Sequence, residues 1–339
     1  MALLRRDGRR WLPSRRGIFF TIMALFVVTL IYIFFMSNQP FRVVSTPNPA
    51  GKSSSLDRSV SVNNHLLSLK SGLIKRAVLV SGYNALRSMQ DYSLDQGTFI
   101  SDLNGTFAEI LINGSVGGTP LSAMGIDHME NTTLSFLLHE IWNLTVDFLK
   151  IDMNYTIHGV SIYQDNMTGP WQLGLSADVT LELNATVAEW TSRQAINVIL
   201  PLEGHLDPLY SVSTGGLFNN TLHRTNITRW NVSYVKEFIS FMDYRFEPDG
   251  PSYLMRLQND TNSSNCCGIE SLIYFESTKN MSFVDYCYFG EKCEGSNPNG
   301  TFSLYNITGI TNESHQFKLE QYHIVEAKYN LTAQAVPTP

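Results

Sequence analysis

Cys266, Cys267, Cys287 and Cys293 are the only cysteines of the chain and fall within 28 residues. Thiols so grouped can pair, bind a metal or attack a substrate. An even count outside the cytoplasm favours disulfides, and four thiols allow three pairings. A bond between the neighbours Cys266 and Cys267 would strain their backbone. The expectation is therefore that each of them joins one of Cys287 and Cys293. A tetrahedral metal site calls for spaced Cys pairs and His partners. Neither occurs here, so no metal and no cofactor are expected.

Catalytic patterns come close and miss. His139-Glu140 opens a zincin motif, but Asn143 stands where the second His must be. Gly174-Leu175-Ser176-Ala177-Asp178 lacks the last Gly of a nucleophile elbow and sits in an alternating strand pattern. Asp127-His128-Met129-Glu130 and Glu203-Gly204-His205-Leu206-Asp207 bring carboxylates near a His, as general acid–base chemistry needs. Acids beside a loop His more often cap or solvate it. Gly117-Gly118 and Gly215-Gly216 read as turns, since no phosphate-loop Lys follows them. No catalytic residue is assigned.

The dense signal is Asn-x-Ser/Thr. It occurs at Asn104, Asn113, Asn131, Asn143, Asn154, Asn166, Asn184, Asn219, Asn226, Asn231, Asn259, Asn262, Asn280, Asn299, Asn306, Asn312 and Asn330. That is 17 of the 21 Asn beyond residue 100, where chance would give roughly three or four. The excess predicts a heavily N-glycosylated surface. No Asn before residue 100 lies in such a site, which leaves the first part of the chain bare of sugar.

Sugars of this kind need a compartment outside the cytoplasm, and the N-terminus supplies the route. Residues 18–36 hold no charge and follow six Arg. As a helix they would rise about 28 Å, close to a hydrocarbon core. Arg on the near side places residues 1–17 in the cytoplasm and the C-terminal ectodomain outside, as a single-pass membrane protein. The apolar run is longer than the core of a cleavable secretory signal, and no small-x-small site follows it. With the basic end at +5, the remainder of a chain of formal charge −6 carries −11, which argues against a nucleic-acid partner. The expected partners are the lipid bilayer through residues 18–36, and other surface proteins or copies of the chain itself.

After the span, residues 37–57 read as a Ser/Pro linker. Leu66, Leu69, Leu73, Ala77, Val80 and Tyr83 then recur at helical spacing, as do Phe99, Leu103, Phe107 and Ile110. Leu134, Leu137, Leu138, Ile141, Leu144 and Phe148 mark a third helix, with Glu140, Asn143, Asp147 and Lys150 on its wet face. The helical part covers 58–150. From Ile151 the period becomes two: Met153, Tyr155 and Ile157, then Leu173, Leu175, Ala177, Val179, Leu181 and Leu183, with 187–200 as the returning strand. Short strands are expected at 253–257, 272–275, 283–289, 302–307 and 317–325. The β-rich part spans 151–332, and 333–339 form a disordered tail. Apolar content of 43% suits a packed body. The fold class is α+β: one N-terminal transmembrane helix, membrane-proximal helices, then a mainly antiparallel β-rich ectodomain.

Arg15-Arg16-Gly17 followed by the apolar run resembles the class III signal of type IV pilin-like proteins, archaeal ones especially. That resemblance implies cleavage between Gly17 and Ile18. Phe19 is bulkier than usual for the family, and Ile22 stands where bacterial pilins carry Glu. Further blocks resemble archaeal membrane-anchored surface proteins of unestablished activity. They are Asp207–Gly215, Pro251–Leu257, Ser263–Ser271 with its Cys266-Cys267-Gly268-Ile269-Glu270 core, and Val284–Phe289. Two functions follow as expectations. The first is a non-catalytic, anchored, N-glycosylated surface protein, a pilin-like structural or adhesive component. The alternative is an anchored extracytoplasmic enzyme acting on glycans or envelope material, for which no Asp-x-Asp metal motif is present.

Overall fold

The computed structural model describes residues 52–186, 188–227, 232–273, 282–290, 304–312, 315–320, 323 and 333–335. The expected span 18–36 and the Gly17–Ile18 junction lie outside them. Among the described residues no helix is long and apolar enough to cross a membrane.

Helix α1 (Lys52–Ser68) begins inside the stretch the sequence assigns to the linker. It runs through a π turn, Leu69–Leu73, into α2 (Ile74–Gln96). The turn alters the helix's buried face. One extra residue rotates everything after it by about 100° relative to a continuous α-helix. Val62 and Leu66 are buried before the turn, Leu69 at its first position, and Ile74, Ala77, Val78, Ala85 and Met89 after it. Leu73, Val80 and Tyr83, which the spacing aims inward, face solvent.

Helix α2 stops at Gly97, whose φ of 60° is the left-handed conformation that glycine adopts without strain. Asp102 caps α3 (Leu103–Asn113) by accepting from the Gly105 amide at 3.0 Å. The short ribbon β1 (Ser115–Val116) and β2 (Thr119–Pro120) follows. Thr133 caps α4 (Leu134–Leu149).

Strands β3 (Asp152–Tyr163), β4 (Gln172–Ala185) and β5 (Ala188–Pro201) form an antiparallel meander in that order. In β4, Leu173, Leu175, Ala177, Val179, Leu181 and Leu183 are all buried on one face, as the alternation predicts. A bulge at His158 shifts the β3 register. Helix α2 packs on β5, and α3 and α4 pack on β3. Gly82 makes close approach possible, because a Cβ there would collide with Leu175 Cδ2.

The rest is built of short pieces: α5 (Pro208–Ser213), α6 (Val232–Phe241), β6 (Arg245–Phe246), α7 (Tyr253–Leu257), β7 (Ile269–Glu270) and α8 (Asp285–Gly290). Strand β6 pairs with β7. Strand β8 (Leu304–Asn312) lies between β9 (His315–Glu320) and β10 (Ala333–Ala335), so residues 333–335 pair where a tail is expected.

Residues 253–257 and 285–290 are helical, not extended. Short apolar runs fit a buried helix as well as a strand. Ser252 caps α7 by accepting from the Met255 amide, and that turn aims Arg256 into the interior. Helices α5 and α6 match no expected element. Asp207-Pro208, a cap followed by a first-turn Pro, is the local signal for α5. A large core joins the meander to the helices, and a second gathers Leu209, Val235, Phe238, Val284, Phe317 and Leu319. The α+β class with antiparallel sheets stands.

Candidate functional site

Charge is buried where the short elements meet. Arg256, on α7, is fully enclosed. Its Nη1 donates to Asp207 Oδ2 at 2.7 Å and to Asp285 Oδ2 at 2.8 Å, and both carboxylates are fully buried. Nη2 donates to the Ile269 carbonyl at 2.6 Å. Tyr244 donates its hydroxyl to the same Asp207 oxygen at 2.8 Å, while Asp207 Oδ1 caps α5 through the Leu209 amide. Asp285 Oδ1 accepts from the Tyr286 amide. One cation thus ties α5, α7, β7 and α8 together.

Two acids share that single guanidinium. Burial raises the Asp285 carboxyl to about 6, because the attraction of Arg256 offsets only part of the desolvation and Asp207 adds repulsion. Burial works against the Arg256 charge, yet the two carboxylates hold its proton more firmly than usual. Removing the guanidinium would leave buried charge uncompensated.

A second buried cluster centres on β6 and β7. Arg245 Nη2 meets Glu247 at 2.7 Å and its Nε meets Glu270 at 2.5 Å. His323 reaches Glu270 at 3.2 Å and the Tyr286 hydroxyl at 3.0 Å, and it contacts Glu320. Ser282 donates to Glu320. A third group surrounds His205. Its Nδ1 donates to Gln90 Oε1 at 3.2 Å, and Gln90 Nε2 contacts the Tyr253 hydroxyl. Burial, helped by Arg87, lowers His205 to about 4 and keeps it neutral.

The near-motifs resolve into structural parts. His205 and Asp207 share one loop but enter different networks, and neither touches the other in the hydrogen bonds described. His128 pairs with Asp91 of α2 at 2.8 Å at the half-exposed surface, not with its sequence neighbours Asp127 and Glu130. His139 stacks on Trp142. Ser176 faces outward in β4, paired with Ser161 and Asn197.

The cysteines require a correction. Cys266 and Cys267 bond to each other, so neither reaches Cys287. Their turn is tight enough to place neighbouring side chains together. It passes through Asn265 at φ 59°, Ser264 Oγ accepts from the Cys267 amide, and Ser263 and Ser264 donate to the Pro248 carbonyl. Cys287 is disulfide-bonded too, and Cys293 lies outside the described residues. Cys287, Glu320 and His323 bring three donor atoms within 4.8 Å of one another, but a disulfide sulfur offers no thiolate to an ion.

The Asn-x-Ser/Thr sites sort by exposure. Asn104, Asn113, Asn131, Asn154, Asn166, Asn184, Asn219, Asn226, Asn259 and Asn262 are exposed, and Asn143 and Asn306 half-buried. Among the described side chains none is buried. Asn220, beside Asn219 and in no such site, is buried and donates to the Met242 carbonyl and Tyr244 hydroxyl. The side chains of Asn231, Asn280, Asn299, Asn312 and Asn330 lie outside those described.

Two clefts adjoin these sites. One, of about 520 Å³, is lined by Trp171, Arg224, Asn226, Ile227, Phe246 and Asp249 among others. The other, at the end of the meander where β4 turns into β5, is lined by Asn154 and Asn184 with Asp152, Glu182, Glu189 and Trp190. No protein-family description, curated protein or solved structure matches this chain.

What sequence reasoning missed is the ionic network. Asp207 and Asp285 lie 49 and 29 residues from Arg256, and no spacing rule joins them. Glu270, Arg256 and Asp285 fall within the blocks Ser263–Ser271, Pro251–Leu257 and Val284–Phe289. Those blocks are thus the places where the short elements are locked together.

Proposed function

We propose that the chain is a non-catalytic, membrane-anchored, N-glycosylated surface protein that self-associates as a pilin-like structural or adhesive component. The observation that carries this reading is the division of the surface. Every described Asn-x-Ser/Thr asparagine lies at or near the surface, whereas α1 and α2 contain none. Those same helices, with the turn between them, expose Leu56, Val60, Leu67, Leu73, Val80 and Tyr83. Exposed apolar side chains on helices that carry no sugar site support contact with another protein. Sugars on Asn154 and Asn184 would deny the outer end of the meander to such a partner.

The buried ionic groups support a structural role. Asp285, the carboxyl raised by burial, is fully enclosed and pairs with a permanent cation, which leaves it nothing to do for a bound substrate. Peptide mapping of the membrane-extracted protein tests the reading, together with mass spectrometry of its N-terminus. The expected result is sugar on most Asn-x-Ser/Thr sites and a chain retained in the membrane fraction. A start at Ile18 marks pilin-like processing, and an intact start a plain anchor. Mostly bare sites would overturn the glycoprotein reading. Self-association is checked by Val80→Asp with Tyr83→Asp, which should dissociate oligomers seen by cross-linking on membranes.

A further inference from the structure

We infer that the sugar attached to Asn226 folds back into the adjoining cleft and is held there as an intramolecular ligand. This rests on the glycoprotein reading above. The cleft's size, about 520 Å³, is within the range of small-ligand sites. Its walls suit a saccharide. Trp171 and Phe246 offer flat apolar surface, and Phe246 is 49% exposed because its neighbours Arg245 and Glu247 take the buried side of the extended chain. Arg224 and Asp249 supply donor and acceptor groups at the same cleft. A sugar ring presents that pairing in reverse, with C–H groups on its faces and hydroxyls round its edge.

The occupant follows from the attachment point. Asn226 lines the cleft itself, so its first sugars start at the mouth. Tethering raises their effective concentration to the millimolar range or above, and weak contacts then suffice to hold them. A free saccharide would have to compete with that tethered one. The cleft bearing Asn154 and Asn184 has a single aromatic wall, Trp190, and three carboxylates, Asp152, Glu182 and Glu189, where the Asn226 cleft has two aromatics and two carboxylates.

The cleft walls are set by a loop contact. Gly268 lies so close to the 247–250 segment that its carbonyl accepts from the Glu247 amide at 3.0 Å, and Ser264 donates its amide to the Gly250 carbonyl at 3.0 Å. The Cys266–Cys267 turn therefore buttresses the segment that carries Phe246 and Asp249. Sugar in the cleft covers Phe246 and links that segment to Arg224 and Trp171.

The test is glycosidase release from the native, full-length glycoprotein, followed site by site by peptide mass mapping. Sugar on Asn226 should be released at least about ten-fold more slowly than sugar on Asn113 and Asn131, which are exposed and line neither cleft. Phe246→Ala and Arg224→Ala should each raise the Asn226 rate towards that of the other two and leave theirs unchanged. Phe246 and Arg224 are exposed enough for both variants to fold, and far-ultraviolet circular dichroism checks that they do. Equal release rates with Asn226 occupied would overturn the inference and leave the glycoprotein reading intact. Asn226 bare while other sites are occupied would overturn it too. All sites bare would overturn both.

Discussion

The Arg256 network and the His205 pocket oppose each other in their response to pH, and single substitutions should expose both. Asp285 is raised from an ordinary 3.8 to about 6. The folded chain therefore keeps that proton to higher pH than the unfolded chain. Its contribution to stability is full below about 4 and is lost as pH rises through about 6. A carboxyl held about two pH units above its ordinary value corresponds to about 3 kcal/mol. His205 is lowered from 6.5 to about 4, so its contribution is full above 6.5 and is lost as pH falls towards 4. Its span is also about 3 kcal/mol. In the native protein the two slopes nearly cancel between pH 4 and 6.5. Asp285→Asn leaves the His205 slope alone, so its stability should rise with pH by about 3 kcal/mol relative to the native chain over that window. His205→Gln should show the reverse sign. Urea unfolding of the full chain in detergent, followed by circular dichroism at half-unit pH steps, measures both differences. Constant offsets from altered hydrogen bonds drop out, since only the change with pH is read. A native-minus-variant difference that stays flat from pH 4 to 7 would refute the reasoning.

Arg256→Met should cost about 3–5 kcal/mol at pH 7, because Asp207 and Asp285 would be left buried without their cation; the loss should shrink on acidification, and urea midpoints at pH 4.5 and 7 compare the two. Gly268→Ala should cost up to about 3 kcal/mol, since a Cβ would collide with the carbonyl oxygens of Gly250 and Glu247, both backbone atoms. Gly97 is surrounded by open space but has φ 60°, so Gly97→Ala should cost roughly 1 kcal/mol through strain alone; melting curves distinguish the two. Replacing both Cys266 and Cys267 by Ser should cost about 1–3 kcal/mol: adjacent residues close the shortest of loops, but a hydroxyl would replace the fully buried Cys267 sulfur. Thermal unfolding checks that figure.

Segments with a strong period or a strong composition were legible from residue order alone. The β4 alternation of Leu173 to Leu183 decided which face is buried, because a strand's side chains can only alternate. Helices α2, α3 and α4 could be read from three-to-four spacing. The Asn-x-Ser/Thr sites announced an outer surface, and every described one lies at or near solvent. Periodicity failed at Leu73, Val80 and Tyr83, where a π turn at Leu69–Leu73 rotates the helix and turns an expected core row outward. Nothing local signals one extra residue in a helix; burial of Ile74 and Val78 against the sheet and neighbouring helices rewards it. The short runs 253–257 and 285–290 were ambiguous for a related reason. Five or six apolar residues fit a strand or a buried turn of helix, and contacts from far along the chain choose between them. The Cys266–Cys267 bond depended on the turn at Asn265 and on its packing against 247–250. The network of Asp207, Arg256 and Asp285 is the clearest product of tertiary structure. Its members come from three separate segments, and a guanidinium can be buried only where the fold brings carboxylates to meet it.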